Sequence, residues 1–352
     1  MIDLRSDTVT KPTPAMRAAI SQAKVGDDQR EGDPTTHQLE RMAAELLGMD
    51  GGLYVPSGTM ANLIAVLIHT RERPGMVLES TSHLATVEAA GIAALTPAKP
   101  YPLKGQYGVM ASADIATAFR RAAAEGVPIG LLCLENTHNN SGGTVVPESD
   151  MKRLITIARE RGSAVHLDGA RIFNASVALG TPAAKLVEGV ESAMFCVSKG
   201  MGAPVGSVLC GKADFITRAK TVRQWCGGAM RQSGVIAAAG LVGLSDYVAR
   251  FPTDHANARR LAEGLADLPA FKIDLRAVQT NMVYVRVTSP DFDPSAFEQH
   301  CYKRGISVRA NKERFRFVLH HQVASTDVIR AIAVIKEFLT TAGREKRSEV
   351  RS

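Results

Sequence analysis

The sequence predicts an α/β protein with two domains: a large domain on a mostly parallel central sheet flanked by helices, and a smaller C-terminal α+β domain. Between about residues 52 and 245, short apolar runs alternate with segments whose apolar residues recur at helical spacing. Such alternation indicates a doubly wound sheet with helices on both faces. From about Phe251 the order changes to helix, strand, helix, strand, helix, which predicts the second domain. The length of 352 residues also favours two cores over one.

Short apolar runs mark the candidate strands of the large domain. They lie at 75–79, 129–135, 164–168, 193–198 and 207–210. Helical spacing predicts a helix at 149–161 between two of them. In the small domain we expect strands at 281–287 and 314–319 and a final helix at 326–341. The expected organisation is an N-terminal arm at 1–15, a large domain at 16–248, a small domain at 249–340 and a tail at 341–352.

Composition excludes several classes of protein. Apolar residues make up 45% and charged residues 22%, as in ordinary globular proteins. The net charge of +7 is spread without a basic stripe, so we expect no nucleic-acid partner. No run of 18 apolar residues predicts a membrane span, and the N-terminal residues are too charged for a signal peptide. Five cysteines without a CxxC pair indicate free thiols in the cytoplasm and no metal site.

Three candidate functional groups lie at or just after the ends of predicted strands. Asp168 ends the strand at 164–168, Lys199 follows the strand at 193–198, and a Ser-Gly-Thr loop at 57–59 precedes a helical run. Ligands of open α/β sheets bind at the carboxyl ends of the strands, so we expect these groups at one edge. Taken singly, each has an ordinary role, as a helix-capping acid, a solvated lysine or a helix start.

The combination of these groups is typical of pyridoxal 5'-phosphate (PLP) chemistry. A lysine between a buried strand and a Gly-rich turn can lose its proton and bind an aldehyde as a Schiff base. An ionised aspartate can pair with the pyridinium nitrogen and keep the ring an electron sink. A helix N-terminus such as that after Ser57 favours a phosphate. The sequence therefore predicts a PLP enzyme that holds its cofactor on Lys199.

Eight sequence blocks extend in order through most of the chain. They are DLRSDTVTKPT at 3–13, VGDD at 25–28, DPTTHQLE at 33–40, VPSGTMAN at 55–62, ENTHN at 135–139, HLDGARIFNA at 166–175, SKGMGAPVGS at 198–207 and GGAMRQSG at 227–234. These blocks resemble those of the low-specificity L-threonine aldolase family, which has PLP fold type I, the fold of aspartate aminotransferase. The resemblance implies retro-aldol cleavage of a β-hydroxy-α-amino acid, such as L-threonine or L-allo-threonine, to glycine and an aldehyde. It also implies a homotetramer, a dimer of dimers with active sites shared between subunits.

The resemblance also assigns roles to individual residues. Lys199 corresponds to the Schiff-base lysine, Asp168 to the partner of the pyridine nitrogen, and His83 to a histidine that stacks on the ring. Glu88 aligns with an acid near that histidine. The groups expected to bind the cofactor phosphate are Gly58, Thr59 and Arg231. Those expected to bind the substrate carboxylate are Ser6, Arg171 and Arg316. Arg171 is also expected to contact the cofactor.

One departure from the family concerns the substrate half of the site. The family places a substrate-facing tyrosine after VGDD, whereas this chain has Arg30. If Arg30 faces the pocket, it favours an acidic substrate such as a β-hydroxyaspartate; otherwise it turns outward to pair with Glu31 or another carboxylate. Other reactions on the same scaffold, such as β-elimination or racemisation, stay open because fold does not imply function, as does a non-catalytic binding protein. The catalytic base is either His83 or a bound water.

Overall fold

The computed structural model describes the backbone of residues 1–349 and the side chains of residues 1–340; residues 350–352 of the expected tail lie outside the described residues. The strands are β1 (Ile2–Asp3), β2 (Gly51–Val55), β3 (Gly75–Glu79), β4 (Lys99–Leu103), β5 (Gly105–Gln106), β6 (Val109–Met110), β7 (Ile129–Glu135), β8 (Ala164–Asp168), β9 (Ser192–Cys196), β10 (Ser207–Gly211), β11 (Phe271–Lys272), β12 (Met282–Val287), β13 (Ile306–Ser307) and β14 (Arg314–Val318). The helices are α1 (Pro14–Ser21), α2 (Pro34–Leu47), α3 (Gly58–Thr70), α4 (Ala89–Leu95), α5 (Ser112–Ala124), α6 (Glu148–Arg159), α7 (Ile172–Leu179), α8 (Ala183–Leu186), α9 (Ala213–Trp225), α10 (Gly234–Ala266), α11 (Pro294–Lys303) and α12 (Ser325–Glu349).

The chain forms two compact units. Lys11–Val248 form the first unit, and Met1–Thr10 join the chain from Ala249 onward in the second. The N-terminal residues belong to the second unit because β1 pairs in parallel with β13. The segment expected as an arm at 1–15 is thus divided between the two units after Thr10.

The first unit is built on a seven-stranded sheet in the order β2-β10-β9-β8-β7-β3-β4. Strands β9, β8, β7, β3 and β4 are parallel, and β10 is antiparallel to both of its neighbours. Every residue of β3, β7, β9 and β10 is buried, which explains why these strands appear in the sequence as continuous apolar runs. The predicted mostly parallel sheet is confirmed.

Two differences from the predicted strands have physical causes. The strand expected at 193–198 ends at Cys196, because the backbone N–H groups of Val197 and Ser198 both turn to the carbonyl of Gly206. Strand β4 was not predicted because its sequence, KPYPL, contains two prolines. It lies at the edge of the sheet, where a proline breaks no ladder on the open side.

The second unit is an α+β structure with an aromatic core. Its sheet has the antiparallel order β11-β12-β14. Phenylalanine rings form the core with centroid separations of 5.3–6.3 Å; they are Phe271, Phe292, Phe297, Phe315 and Phe338. The expected final helix at 326–341 begins at Ser325 and its backbone continues to Glu349.

Helix α10 is, among the described residues, long and apolar enough to cross a membrane by length and composition alone. Its residues Ala237, Ala239 and Leu244 are buried in the protein. Burial of this kind is typical of a core helix of a globular protein.

Gly206 occupies a closely packed position beside the end of β9, and its substitution tests this packing. It has φ +104°, and a Cβ atom there would lie 2.2 Å from the Tyr54 hydroxyl oxygen. We expect Gly206→Ala to lower the free energy of unfolding by about 2–4 kcal/mol, from overpacking and backbone strain. Gly126 also has a positive φ but nothing within 4 Å of its Cβ position, so Gly126→Ala is the matched control, with a cost of about 1 kcal/mol. Equal urea midpoints for the two variants would contradict this packing.

Candidate active site

The carboxyl ends of three parallel strands bring the predicted groups to one edge of the sheet. Glu135, the last residue of β7, lies opposite Asp168, the last residue of β8, and Asp168 lies opposite Met194 of β9. Lys199 follows β9 after Val197 and Ser198, in a turn where its carbonyl accepts a hydrogen bond from Gly202 N–H at 2.8 Å. This edge is where a doubly wound sheet binds its ligand.

Asp168 is a buried carboxylate, with 2% of its surface exposed. Its Oδ2 accepts a hydrogen bond from Asn62 Nδ2 at 3.0 Å, and its Oδ1 accepts one from Ala170 N–H at 3.0 Å. No arginine, lysine or histidine of the described chain pairs with it. A buried charge without a counter-charge is costly, so the site is suited to a ligand that brings a cation, as a pyridinium nitrogen does.

His83 stands beside this carboxylate and is held by Glu88. His83 Nδ1 lies 2.5 Å from Glu88 Oε1, and Glu88 is buried. The hydrogen bond to Glu88 raises the pKa of His83, burial opposes this, and the charges of Asp168 and Lys199 also act on it in opposite directions. Because the Glu88 carboxylate accepts a hydrogen bond from His83 Nδ1–H, the neutral imidazole has its proton on Nδ1 and its lone pair on Nε2. His83, Asp168 and Lys199 thus belong to one site.

Asn62 connects the two acids of this site. Its Nδ2 donates to Asp168 Oδ2 and to Glu88 Oε1, each at 3.0 Å. His83, Glu88 and Asp168 have ligand atoms within 4.8 Å of one another, a spacing that could suit a metal ion. The amide N–H groups, however, point at both carboxylates, so the position between the two acids favours a hydrogen-bond donor over a cation.

The loop that carries His83 is anchored by Glu135. Glu135 Oε2 accepts a hydrogen bond from the backbone N–H of His83 at 2.6 Å, and Oε1 accepts one from Asn139 N–H at 2.7 Å. Burial raises the pKa of Glu135. Nearby, His138 Nε2 lies 3.0 Å from Glu79 Oε2. The ENTHN block therefore positions the His83 loop.

The N-terminus of α3 has the features of a phosphate site. The Ser57 side chain accepts a hydrogen bond from Met60 N–H at 3.2 Å, while the N–H groups of Gly58 and Thr59 have no partner among the described residues. Together with the helix dipole, these N–H groups favour an anion. Gly58 is required for close packing, because a Cβ there would lie 2.7 Å from Met194 Cε and 2.9 Å from Cys196 Sγ.

The arginines expected in the site occupy different environments. Arg171 is buried at the start of α7, directly after the strand end that carries Asp168. Arg231 is exposed and bonds Asp27 at 3.1 Å. The Arg30 side chain is 79% exposed, with its Nε 3.8 Å from Asp27 Oδ2. The contacts of Arg30 and Arg231 are therefore with Asp27 at the surface and not with the Asp168 network.

Ser6 and Arg316 both lie in the second unit. The Ser6 hydroxyl caps a short 3₁₀ helix by accepting a hydrogen bond from Thr8 N–H at 3.2 Å. Arg316 is on β14 opposite Tyr284 of β12. A backbone hydrogen bond of 2.9 Å from Val318 to Leu4 brings the segment that leads to Ser6 beside this strand.

Sequence reasoning did not single out Asn62 or Glu135. Both were visible in motifs: Asn62 closes VPSGTMAN one helical turn after Gly58, and Glu135 ends a buried strand next to the one that ends in Asp168. A polar residue at i+4 from a helix-start glycine lies on the same helix face, and Asn62 could have been predicted from this spacing.

Known proteins resemble this chain over nearly its whole length. The model of the beta-eliminating lyase family matches residues 3–288. The chain is 39% identical over 353 residues to low-specificity L-threonine aldolase 1 of Arabidopsis thaliana, covering 99% of each chain. It is also 39% identical to the low specificity L-threonine aldolase of Escherichia coli O157:H7, covering 96% of this chain and 99% of that protein.

Solved structures share the fold at low sequence identity. A threonine aldolase from Leishmania major superimposes with a TM-score of 0.80 at 17% identity, over 96% of this chain and all of that one. Serine palmitoyltransferase of Sphingomonas wittichii gives a TM-score of 0.76 at 19% identity, over 98% and 87% of the two chains. The fold and the relatives identify a PLP-dependent enzyme of fold type I. The chain belongs to the beta-eliminating lyase family.

Replacing Lys199 tests the covalent attachment. In Lys199→Ala we expect the visible absorption band of the Schiff base to be lost and no PLP to be fixed by borohydride, because Lys199 supplies the amine at this strand end. Non-covalent binding of PLP should remain, since Asp168 and the N–H groups of Gly58 and Thr59 are unchanged. Lys185→Ala, which removes an exposed lysine paired with Glu188, is the control. Fixation of PLP by borohydride in Lys199→Ala would refute the assignment.

Proposed function

We propose that this protein is a PLP-dependent aldehyde-lyase that cleaves L-threonine, L-allo-threonine or a related β-hydroxy-α-amino acid to glycine and an aldehyde. The main support is the strand edge where the buried Asp168 carboxylate, with no ion pair among the described residues, lies near His83, whose pKa the charges of Asp168 and Lys199 both affect. Two relatives that match nearly the whole chain carry the name low-specificity L-threonine aldolase.

The cofactor, when bound, supplies an electron sink for the charge that develops at Cα as the Cα–Cβ bond breaks. Lys199 would hold it covalently. Asp168 would keep a positive charge on the ring nitrogen, which maintains the sink. The N–H groups of Gly58 and Thr59 would hold the phosphate, and the buried guanidinium of Arg171 is suited to the substrate carboxylate.

His83 is the group best placed to move the substrate proton. Its Nε2 has no partner among the described residues, whereas its Nδ1 is bound to Glu88. Nε2 is therefore free to accept the proton of the β-hydroxyl, and the Glu88 carboxylate stabilises the imidazolium that results. This role follows the pattern of a histidine base oriented by an acid.

A second candidate reaction is β-elimination, which the name of the matching family model favours. The two reactions differ in products: retro-aldol cleavage yields glycine and an aldehyde, and elimination yields a keto acid and ammonia. The substrate decides the outcome through its β-substituent, so one assay distinguishes them.

The deciding experiment is a panel of L-threonine, L-allo-threonine, phenylserine, β-hydroxyaspartate and serine with all products measured. We expect equimolar glycine and aldehyde from the β-hydroxy amino acids with wild-type protein, and neither product with Lys199→Ala. Keto acid and ammonia as the main products would instead establish elimination.

A comparison of wild type with Arg30→Tyr on threonine and β-hydroxyaspartate shows in the same panel whether Arg30 selects substrates.

The pH dependence tests His83 as the base. Because the hydrogen bond to Glu88 raises the pKa of His83, the neutral imidazole is lost as the pH falls through this raised value. We expect kcat/KM to decrease on the acid side accordingly. Glu88→Gln removes the charge, so the pKa of His83 falls and the acid limb should move to lower pH by about one unit. An unmoved acid limb in Glu88→Gln would indicate that a water or another group is the base.

We further propose a homotetramer that acts in the cytoplasm. Large apolar side chains are exposed on the first unit, among them Val87, Leu95 and Trp225, and contacts between subunits would cover such surface. Arg231 is exposed in the GGAMRQSG block, where it could serve a neighbouring subunit's site. Five free cysteines fit a reducing compartment. Sedimentation of the holoenzyme tests the assembly, and an active monomer would contradict it.

A further inference from the structure

Asp168 is the end point of a chain of hydrogen bonds that runs between helix α3 and strands β8 and β9. Asn62 Nδ2 donates to Asp168, and Asn62 Oδ1 lies 3.0 Å from His166 Nε2. His166 Nδ1 lies 2.8 Å from the Ser192 hydroxyl, which lies 2.9 Å from His69 Nε2. Asn62, His166 and Ser192 are buried, each with at most 1% of its surface exposed.

The direction of every hydrogen bond in this relay, His69–Ser192–His166–Asn62–Asp168, is fixed by its carboxylate end. Asp168 and Glu88 can only accept, so the Asn62 amide turns its NH₂ group to them and its oxygen to His166. His166 Nε2 must then donate. Burial lowers the pKa of His166 to about 4, so the ring is neutral and its Nδ1 accepts from the Ser192 hydroxyl.

The far end of the relay continues in the same direction. Because the Ser192 hydroxyl donates its proton to the hydrogen bond with His166 Nδ1, the Ser192 oxygen accepts a hydrogen bond from His69 Nε2–H. Burial lowers the pKa of His69 to about 3, and its ring stacks on Phe215 at 5.1 Å. Every donor in the relay therefore points toward Asp168. Hydrogen bonds that run in one direction polarise one another in a low-dielectric interior.

We propose that Asn62, His166 and Ser192 are positioning residues that keep the shared proton of the Asp168–cofactor pair on the ring nitrogen. A hydrogen bond donated to a carboxylate lowers its affinity for a proton. Without the relay, Asp168 would compete for the proton of the ring nitrogen, and the ring would lose the charge that makes it an electron sink. The inference rests on the proposed function, in which Asp168 pairs with that nitrogen.

The Asn62 amide also makes the relay act on His83. The same NH₂ group donates to Glu88, whose Oε1 binds His83 Nδ1. Asn62 thus donates a hydrogen bond to each of the two buried carboxylates through a single NH₂ group. The relay and the His83–Glu88 pair are therefore parts of one hydrogen-bond network, with Asn62 at the branch.

The test measures the protonation of the ring nitrogen directly, by the ¹⁵N chemical shift of ¹⁵N-labelled PLP bound to each protein. His166→Leu removes the donor to Asn62, whereas His166→Gln restores an N–H group at the Nε2 position. Ser192→Ala removes the hydroxyl that fixes the His166 tautomer. The matched control is Ser163→Ala, because Ser163 is a buried serine outside the relay whose hydroxyl bonds the Ile129 carbonyl at 2.6 Å.

We expect the wild type, Ser163→Ala and His166→Gln to give the shift of a protonated ring nitrogen. His166→Leu and Ser192→Ala should move toward the unprotonated value, the former further. In His166→Leu, kcat should fall by about tenfold or more with KM changed less than about threefold; tenfold corresponds to about 1.4 kcal/mol in the barrier. A purely structural role would lower the melting temperature without moving the ¹⁵N shift.

The reference variant Asp168→Asn separates the two proposals. If it leaves the ¹⁵N shift at the wild-type value, Asp168 is not the partner of the ring nitrogen and the site assignment fails. If it moves the shift while His166→Leu and Ser192→Ala do not, the assignment stands and the relay proposal is refuted. If His166→Leu does not fold, the ¹⁵N shift of Ser192→Ala compared with that of Ser163→Ala tests the relay proposal in the same way.

Discussion

The negative charge of Asp168 is buried, and no cation of the described residues neutralises it. Leaving such a charge without donors would cost several kcal/mol. The protein supplies a backbone N–H from Ala170 and the amide of Asn62, which stabilise the carboxylate but leave room for a cationic ligand. The surrounding residues depend on this requirement: Asn62 must present its NH₂ group, and so His166 must donate to its oxygen.

Helix α3 contributes three groups to the site from one face. Gly58 begins the helix and presents free N–H groups, Asn62 follows after one turn, and His69 lies seven residues further along. Spacings of four and seven residues place side chains on the same side of a helix. The binding of an anion at the helix start and the stabilisation of Asp168 are therefore coupled through one rigid element, which packs on β9 through the close contact of Gly58 with Met194 and Cys196.

The histidines of the first unit show how environment assigns different tasks to one residue type. His166 and His69 are kept neutral by burial and act as fixed donors and acceptors. His83 is partly exposed and its pKa is raised by Glu88, so it is the one of these three suited to move a proton. Burial and charged partners, and not sequence motif alone, separate a positioning role from a catalytic one.

The sequence by itself determined the sheet strands that are buried on both faces and the residues at their ends. Strands β3, β7 and β8 have the predicted bounds because strands buried on both faces consist mainly of apolar residues. Asp168 and Lys199 could be found because Asp168 ends one such strand and Lys199 follows another. Only the tertiary structure decided the position of proline-rich β4, the pairing of Arg231 with Asp27, and the relay through Asn62, His166, Ser192 and His69. These arrangements join residues that are far apart in the chain, so they depend on strand order and register, which local patterns in a sequence do not contain.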